Sequence, residues 1–175
     1  MATVRIVAFE PTDADLVLRA QAGDRSAFAE LHERSCRLVH AVVLSRVPPS
    51  EAEDLVQEVF LTALDRLGSL KQPSRFCPWI SQIARNKATD SQRRRRKLVE
   101  LPDTLHAPRR PTAEAAEVLA HLQALPETYR ETLILRLVEG LTGPEIAEQT
   151  GMTPGSVRVN LHRGMKMLRE RLGDS

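Results

Sequence analysis

The stretch LTGPEIAEQTGMTPGSV, residues 141–157, carries the signals of two helices joined by a tight turn. Thr142 and Glu145 stand three residues apart, which is the spacing of a capping box at the start of a helix. Gly151 permits the tight turn, and Thr153 is suited to cap the second helix. Each signal is weak alone, but in this order they predict a helix-turn-helix motif.

The second helix of this motif has two different faces. The apolar face holds Val157, Leu161, Gly164 and Leu168. The opposite face and its flanks hold Arg158, Val159, His162, Arg163 and Lys166. Between residues 158 and 171 five basic residues stand against one acidic residue, a balance that suits DNA phosphates better than a merely solvated surface. We therefore expect one face to pack and the other to contact DNA.

The composition of the whole chain favours helices. The 175 residues carry 25 Lys and Arg against 23 Asp and Glu, only 3% are aromatic and only 8 are glycine. These values exclude an all-β protein and predict an all-α fold. No run approaches the roughly 18 apolar residues of a membrane span, and the N-terminus lacks the pattern of a signal peptide. The chain is therefore predicted to be cytoplasmic, without membrane insertion.

Helical periodicity divides the chain into two parts. Residues 1–12 are predicted to be a loose tail, 13–98 a first helical domain, 99–112 a linker and 113–175 a second helical domain. The linker contains Pro102, Pro108 and Pro111 and no apolar period, so it is expected to be flexible. The predicted helices cover residues 13–22, 24–46, 51–67, a segment from Trp79 to Lys97, 114–125, 126–139, 143–149 and 154–172.

An acidic helix is predicted after the stop signal Val47-Pro48-Pro49. Ser50 and Glu53 have capping-box spacing, which predicts a start near residue 51. Its apolar residues are Leu55, Val59, Leu61, Ala63, Leu64 and Leu67, and its first half holds Glu51, Glu53, Asp54 and Glu58. Such a surface repels DNA and indicates a basic partner of another kind.

The helix that contains Trp79 ends in a run of five cations, residues 93–97. Arg85, Asn86, Lys87, Asp90 and Gln92 precede this run. Hydrogen-bonding groups beside a cationic helix end suit a nucleic-acid surface, although cations are also favourable at a helix C-terminus. Pro78 fits the first turn of this helix, and Trp79 lies on its apolar stripe, where core packing is expected.

Catalytic and metal chemistry have little support in the sequence. Cys36 and Cys77 are too few and too unpatterned for a disulfide scaffold or a four-ligand zinc site. His32, Cys36 and His40 stand four residues apart, but no fourth ligand has a matching spacing. No nucleophile and base pair, glycine-rich phosphate loop or carboxylate dyad has motif support. We predict no enzyme, no metal and no cofactor.

Three segments resemble a known family when taken together. They are SEAEDLVQEVFLTAL at 50–64, WISQIARNKATD at 79–90, and Leu125-Pro126-Glu127 followed by the helix-turn-helix. In this order they resemble a bacterial RNA polymerase sigma factor of the extracytoplasmic-function (ECF) class, in the sigma-70 family. The similarity extends over nearly all of residues 13–172. It implies a sigma-2-like domain over 13–98 and a helix-turn-helix sigma-4-like domain over 113–175.

The resemblance also implies roles for matched residues. Core polymerase would bind Glu53, Asp54, Leu55, Gln57, Glu58 and Phe60. The minus-ten promoter element would bind Lys71, Ser74, Arg75, Arg85, Asn86, Asp90, Arg93 and Arg94. The minus-thirty-five element would bind Ser156, Arg158, Val159, His162, Arg163 and Lys166. The implied partners are core RNA polymerase through its beta-prime clamp helices and beta flap, promoter DNA, and an anti-sigma factor, with a monomer as the free form.

The recognition helix departs from the family at one point. Val159-Asn160 stands where the family often has Ser-Arg. Val159 is able to contact a thymine methyl group but not to donate a hydrogen bond, and Asn160 suits adenine if it reaches a base edge.

Two other classes of function remain open from the sequence. A stand-alone helix-turn-helix regulator would explain the second domain but would leave the acidic helix and the basic run without a shared purpose. A helical protein-binding adaptor would explain the acidic helix but not the basic recognition face. DNA binding by the protein alone separates the classes, because a sigma factor is expected to need polymerase for tight promoter binding.

Overall fold

The computed structural model describes residues 10–98 and 113–173, with side chains described for 10–95 and 115–173. Within these ranges the chain forms α helices and two short 3-10 turns, with no strand, so the predicted all-α fold is confirmed. The helices are α1 (Asp13–Gln21), α2 (Arg25–Leu44), α3 (Pro49–Arg66), α4 (Phe76–Leu98), α5 (Ala113–Gln123), α6 (Glu127–Leu137), α7 (Gly143–Thr150) and α8 (Pro154–Gly173). The 3-10 turns are Leu67–Ser69 and Pro73–Arg75. The predicted linker 99–112 and most of the predicted tail lie outside the described residues.

Helix α2 is the centre of the first four helices. It packs against α1, α3 and α4, and α3 also packs against α4. The buried side chains at this centre include Leu16, Leu31, Leu38, Val59, Phe76 and Ile80. Pro78 lies in the first turn of α4 and Trp79 packs partly against the core, as predicted.

The start of α3 differs from the sequence prediction. The capping box predicted from Ser50 and Glu53 is wrong, because α3 begins at Pro49 and no side chain caps it. Pro48 takes the extended conformation of an N-cap residue. Pro49 has no N–H to satisfy and a φ suited to the first helical position, so the helix begins before Ser50 is able to act as a cap.

Helices α7 and α8 form the predicted helix-turn-helix. The Thr142 side chain accepts a hydrogen bond from the Glu145 backbone, and the Glu145 carboxylate accepts one from Thr142 in return. Gly151 ends α7 with φ +72°, a left-handed conformation that glycine adopts at little cost. The hydroxyl of Thr153 accepts a hydrogen bond from the backbone N–H of Ser156 at the start of α8.

Helix α8 packs closely against α6 at a glycine. A Cβ atom built at Gly164 would lie 2.9 Å from Leu133 Cδ1 and 3.0 Å from Tyr129 Cβ. The predicted apolar face is confirmed in its other members, since Val157 and Leu168 are buried and Leu161 packs partly against the core. Because this face is turned toward α6, the basic face of α8 is turned to solvent.

The two groups of helices also contact each other. Helix α2 packs against α6 and α7, and α4 packs against α7. The groove between the two groups is lined by residues of both, including Asp13, Arg75, Cys77, Glu145 and Glu148, and has a volume of about 1060 Å³.

Candidate functional site

The acidic face of α3 points to solvent. Glu53, Asp54, Gln57 and Glu58 are exposed, whereas Leu55 and Phe60 are buried behind them. Residues three and four apart share a helix face, so Asp54, Gln57 and Glu58 lie side by side. This half of α3 offers carboxylates and an amide to a partner, supported by an apolar underside.

Two leucines continue this face toward the end of α3. Leu61 is 64% exposed and Leu64 is 50% exposed. Both were predicted as apolar residues of the helix, but their outward orientation was not predicted. The spacing 54, 57, 58, 61 and 64 is the signal that would have found them, because it continues one face by steps of three and four. We call Glu53, Asp54, Gln57, Glu58, Leu61 and Leu64 the α3 face.

Helices α3 and α4 enclose a polar groove of about 380 Å³. Its lining residues are Thr62, Arg66, Ile83, Asn86, Lys87, Asp90 and Arg94. Three of the residues assigned to minus-ten DNA from the family resemblance, Asn86, Asp90 and Arg94, therefore lie together. The Asn86 amide oxygen accepts a hydrogen bond of 2.9 Å from Gln82 Nε2, which orients the side chain. We call this site the α4 groove.

The other residues assigned to minus-ten DNA lie outside this groove. Arg93 and Lys71 are exposed elsewhere on the surface, and Ser74 and Arg75 line the groove between the two helix groups. Arg85 is turned toward α6, where its NH2 atom lies 2.7 Å from Glu131 Oε1. The structure therefore divides this set of residues among several places.

Two acidic residues of α3 pair with two cations of α4. Lys87 Nζ lies 3.3 Å from Glu58 Oε2, and Arg95 NH1 lies 3.1 Å from Glu51 Oε1. These pairs are partly exposed, so they are weak and reversible contacts. Lys87 thus links the α4 groove to Glu58 of the α3 face, and Arg95 lies beside the first turn of α3.

All six residues assigned to the minus-thirty-five element are exposed on α8: Ser156, Arg158, Val159, His162, Arg163 and Lys166. Val159 is 44% exposed among these polar neighbours. Asn160 is 8% exposed, and its amide lies 3.6 Å from the sulfur of Met152. Asn160 therefore faces inward and does not belong to the outward surface.

A further groove follows the second half of α8. It has a volume of about 530 Å³ and is lined by Arg136, Leu161, His162, Met165, Lys166, Arg169 and Glu170. Sequence reasoning missed this groove because it needs the position of α6 beside α8. Its mixed apolar and cationic lining suits an amphipathic helix of a protein partner.

The histidines and cysteines of the first helix group have separate partners. The ring centroid of His32 lies 4.1 Å from that of Phe60, whereas His40 Nδ1 lies 2.5 Å from Glu139 Oε1. Burial raises the pKa of the Cys36 thiol, and burial together with nearby Asp13 raises that of Cys77 to about 12. Such thiols stay protonated and are weak nucleophiles. In the ranges with described side chains, no group of three or more His, Cys, Asp or Glu residues is arranged to hold a metal ion.

None of the helices in the described part of the chain is long and apolar enough to cross a membrane.

Comparison with known proteins identifies both groups of helices. Residues 31–98 match the family model described as Sigma-70 region 2, and residues 115–168 match the model described as Sigma-70, region 4. The chain is 33% identical to the RNA polymerase sigma factor CarQ of Myxococcus xanthus, over 89% of this chain and 95% of CarQ. It is 34% identical to the ECF RNA polymerase sigma factor ShbA of Streptomyces griseus, over 88% of this chain and 92% of ShbA.

A solved structure agrees with these matches. It is described as CnrH in complex with the cytosolic domain of CnrY, and CnrH is similar to this chain with a TM-score of 0.63 and 27% identity. The alignment covers 93% of this chain and 98% of the solved chain. The chain therefore belongs to the extracytoplasmic-function class of RNA polymerase sigma factors, within the sigma-70 family.

Proposed function

We propose that this chain binds core RNA polymerase and directs initiation at promoters with particular minus-ten and minus-thirty-five elements. The observation that carries the proposal is the presence on one chain of a solvent-facing acidic and apolar α3 face and a solvent-facing basic α8. The two faces need partners of opposite charge. A protein that bridges polymerase and DNA has use for both.

The polymerase contact is assigned to the α3 face. Glu53, Asp54, Gln57 and Glu58 supply charge and hydrogen bonds, while Leu61 and Leu64 supply apolar area that is desolvated on binding. Leu55 and Phe60 act from beneath by fixing the helix. The beta-prime clamp helices are the partner, and the groove along α8 is assigned to the beta flap.

The promoter contacts are divided between the two domains. We assign the melted minus-ten strand to Asn86, Asp90 and Arg94 in the α4 groove, and also to Arg93, Lys71, Ser74, Arg75 and Arg85, which lie elsewhere on the first domain. The outward residues of α8 enter the major groove at the minus-thirty-five element. This assignment uses two domains, at 13–98 and 113–175, with a tail at 1–12 and a linker at 99–112.

The remaining assignments follow from the family. Sigma factors as a class act by binding and are not enzymes, so we assign this chain no catalytic residue and no cofactor. CnrH is described in complex with the cytosolic domain of CnrY, and by analogy we assign this chain an anti-sigma partner. The free protein is proposed to be a cytoplasmic monomer.

Run-off transcription with core polymerase and a promoter library tests the proposal. Asp54→Arg reverses charge at the centre of the α3 face and is expected to abolish initiation through lost core binding. Glu33→Arg makes the same change at an exposed position of α2 and is the matched control. Arg163→Ala is expected to leave core binding intact and to weaken use of the upstream element, with Arg25→Ala as its control.

Two results would overturn the proposal. Initiation that is equally impaired by Asp54→Arg and Glu33→Arg would remove the α3 face from core binding. Absence of core binding, together with tight binding of the protein alone to duplex DNA, would replace a sigma factor with a stand-alone helix-turn-helix regulator.

A further inference from the structure

A buried carboxylate of the second group of helices pairs with two arginines of the first. Glu131 on α6 is 5% exposed, and its Oε1 atom accepts a hydrogen bond of 2.7 Å from Arg85 NH2 on α4. Its Oε2 atom lies 3.3 Å from Arg85 Nε and 3.4 Å from Arg46 NH1, just beyond the end of α2. Two arginines of the first group therefore share one buried carboxylate of the second.

The same interface supplies partners for the end of α2. Gln123 Nε2 donates hydrogen bonds of 2.8 Å to the carbonyl of Leu44 and 2.9 Å to that of Val47. Arg130 NH1 donates one of 2.9 Å to the carbonyl of Ser45. The last carbonyls of a helix lack partners within the helix and carry partial negative charge, so these donors stabilise the contact.

The cations outnumber the carboxylates at the centre of this interface. Arg46 and Arg85 pair with Glu131, and Arg46 also pairs with the more exposed Glu127. Arg130 lies near both carboxylates. Burial and the neighbouring Arg46 guanidinium lower the pKa of Arg130. These ion pairs and hydrogen bonds are contacts that water and other anions are able to replace.

A DNA phosphate presents the same kind of acceptor to arginine as the Glu131 carboxylate does. Arg85 is among the residues assigned to the minus-ten strand, and the Nε and NH2 edge of its guanidinium, which could otherwise bind a phosphate in a bidentate way, is occupied by Glu131. We propose that Glu131 is an autoinhibitory latch, which holds the two domains together in the free protein and withholds Arg85 from promoter DNA. The withholding of Arg85 rests on the proposed function, whereas the holding together of the domains does not.

Small-angle scattering of the full-length protein tests the first part of the proposal. A compact chain of this length has a radius of gyration of about 16 Å. Glu131→Gln keeps the side-chain shape but removes the charge that both arginines need, and it is expected to increase this radius by several ångströms. Glu30→Gln is the matched control, because Glu30 pairs with Arg34 within α2 and the change also removes one charge.

A second variant keeps the test independent of Glu131. Gln123→Ala removes the two hydrogen bonds to the end of α2 and alters no charge, and it is expected to expand the protein in the same way. Circular dichroism during heating shows whether each variant is folded. Unchanged radii for folded Glu131→Gln and folded Gln123→Ala would overturn the latch.

Fluorescence anisotropy with a labelled single-stranded oligonucleotide carrying a minus-ten sequence tests the withholding of Arg85. Glu131→Gln is expected to bind several-fold more tightly than wild type, beyond any gain in Glu30→Gln. Arg85→Ala in the Glu131→Gln background is expected to abolish that gain. The withholding of Arg85 would be overturned if the higher affinity for the oligonucleotide survived Arg85→Ala. It would also be overturned if Glu131→Gln increased the radius of gyration without increasing this affinity. None of these measurements needs polymerase, so failure of the latch is distinguishable from failure of the sigma-factor assignment.

Discussion

Helices α8 and α4 both carry residues assigned to promoter DNA, but the two helices present them differently. The six residues on α8 all face solvent, and the apolar side of that helix is seated within its own domain. On α4, Asn86, Asp90 and Arg94 line an open groove, whereas Arg85 is paired with Glu131 of the other domain. The surface proposed for the minus-thirty-five element is thus fully exposed, while the surface proposed for the minus-ten element is partly occupied by Glu131.

Under the proposed latch, one interface regulates the minus-ten contact and not the minus-thirty-five contact. Duplex recognition by α8 needs only a rigid helix with an exposed face. The proposed latch withholds Arg85 from the melted strand, and we therefore expect it to limit binding of single strands by the free protein. The comparison predicts that changes beneath α8 act on stability and that changes on its outer face act on DNA alone.

The largest expected effect comes from the packing contact of Gly164 on α8 with α6. Gly164→Ala places a methyl group within 2.9–3.0 Å of Leu133 and Tyr129, so the buried Leu133 side chain has to repack or α8 has to move away from α6. Such overpacking costs about 1–3 kcal/mol. We expect the free energy of unfolding, measured by urea titration, to fall by this amount and minus-thirty-five binding to weaken with it.

Gly155→Ala is the control for this change. It lies in the first turn of the same helix, and its nearest neighbour would be Thr153 Oγ1 at 3.9 Å. Stability is expected to be unchanged or slightly higher, because alanine favours a helix more than glycine does. Equal losses of unfolding free energy in both variants would show that α8 is sensitive to any glycine replacement. They would exclude a specific role of Gly164 in the packing of α8 against α6.

Local sequence signals predicted helices α7 and α8 well. The capping residue Thr142, the turn residue Gly151 and the spacing of Val157, Leu161 and Leu168 are properties of short segments, and the structure contains the helix-turn-helix that they predict. The start of α3 was predicted wrongly because Pro48 and Pro49 act before Ser50 in the chain.

Tertiary contacts are what the sequence left open. The outward orientation of Leu61 and Leu64 depends on where α2 and α4 lie around α3, and the inward orientation of Asn160 depends on Met152. Glu131 lies within a helix whose residues 131–135 are all buried, and its sequence neighbourhood does not indicate Arg85 as a partner. A contact across 46 residues has no local signature.

A smaller effect is expected from the apolar contact on the outer face of α8. Val159 is exposed and Asn160 is not, so Val159 is the residue of this pair that is able to reach a thymine methyl group. A buried methyl contact contributes about 0.8 kcal/mol, or roughly fourfold in affinity. Uracil in place of one thymine in the minus-thirty-five element is expected to weaken binding of the holoenzyme by up to that factor.

Val159→Ala makes this test specific. The variant is expected to bind the thymine and uracil promoters nearly equally, because the partner of the methyl group is gone. Uracil substitution outside the element serves as the control. Equal sensitivity of wild type and Val159→Ala to uracil at every position would exclude Val159 from methyl recognition.

A pH dependence is expected for the contact between the domains. The hydrogen bond to Glu139 raises the pKa of His40 above its ordinary value of 6.5, with burial opposing it and Glu53 supporting it. The His40 imidazole binds its proton more tightly when it contacts Glu139. The stabilisation that this proton gives to the contact between the domains is therefore complete below the ordinary pKa of His40 and is lost as pH rises through the raised pKa. We expect the radius of gyration to increase slightly across this range.

His40→Gln tests the assignment of that dependence. It removes the titrating group that faces Glu139 and Glu53, and the radius should then be independent of pH over the same range. Cys36, whose pKa is also raised in part by Glu139, is the other titrating neighbour, and Cys36→Ala is expected to leave the pH profile unchanged. A profile that persists in His40→Gln would assign the effect to another group.

The smallest effect on stability is expected on the outer face of α8. Lys166 Nζ lies 3.9 Å from Glu170 Oε1, and both side chains are more than half exposed, so solvent screens the pair. Lys166→Ala is expected to leave the thermal midpoint unchanged, yet to lower the salt dependence of duplex binding by about one phosphate contact. Glu170→Ala removes the same ion pair without removing a cation and should leave that salt dependence intact. A loss of stability in Lys166→Ala as large as that in Gly164→Ala would show that the outer face of α8 is not independent of the packing of α8 against α6. The contrast between an independent surface on α8 and a partly occupied one on α4 would then fail.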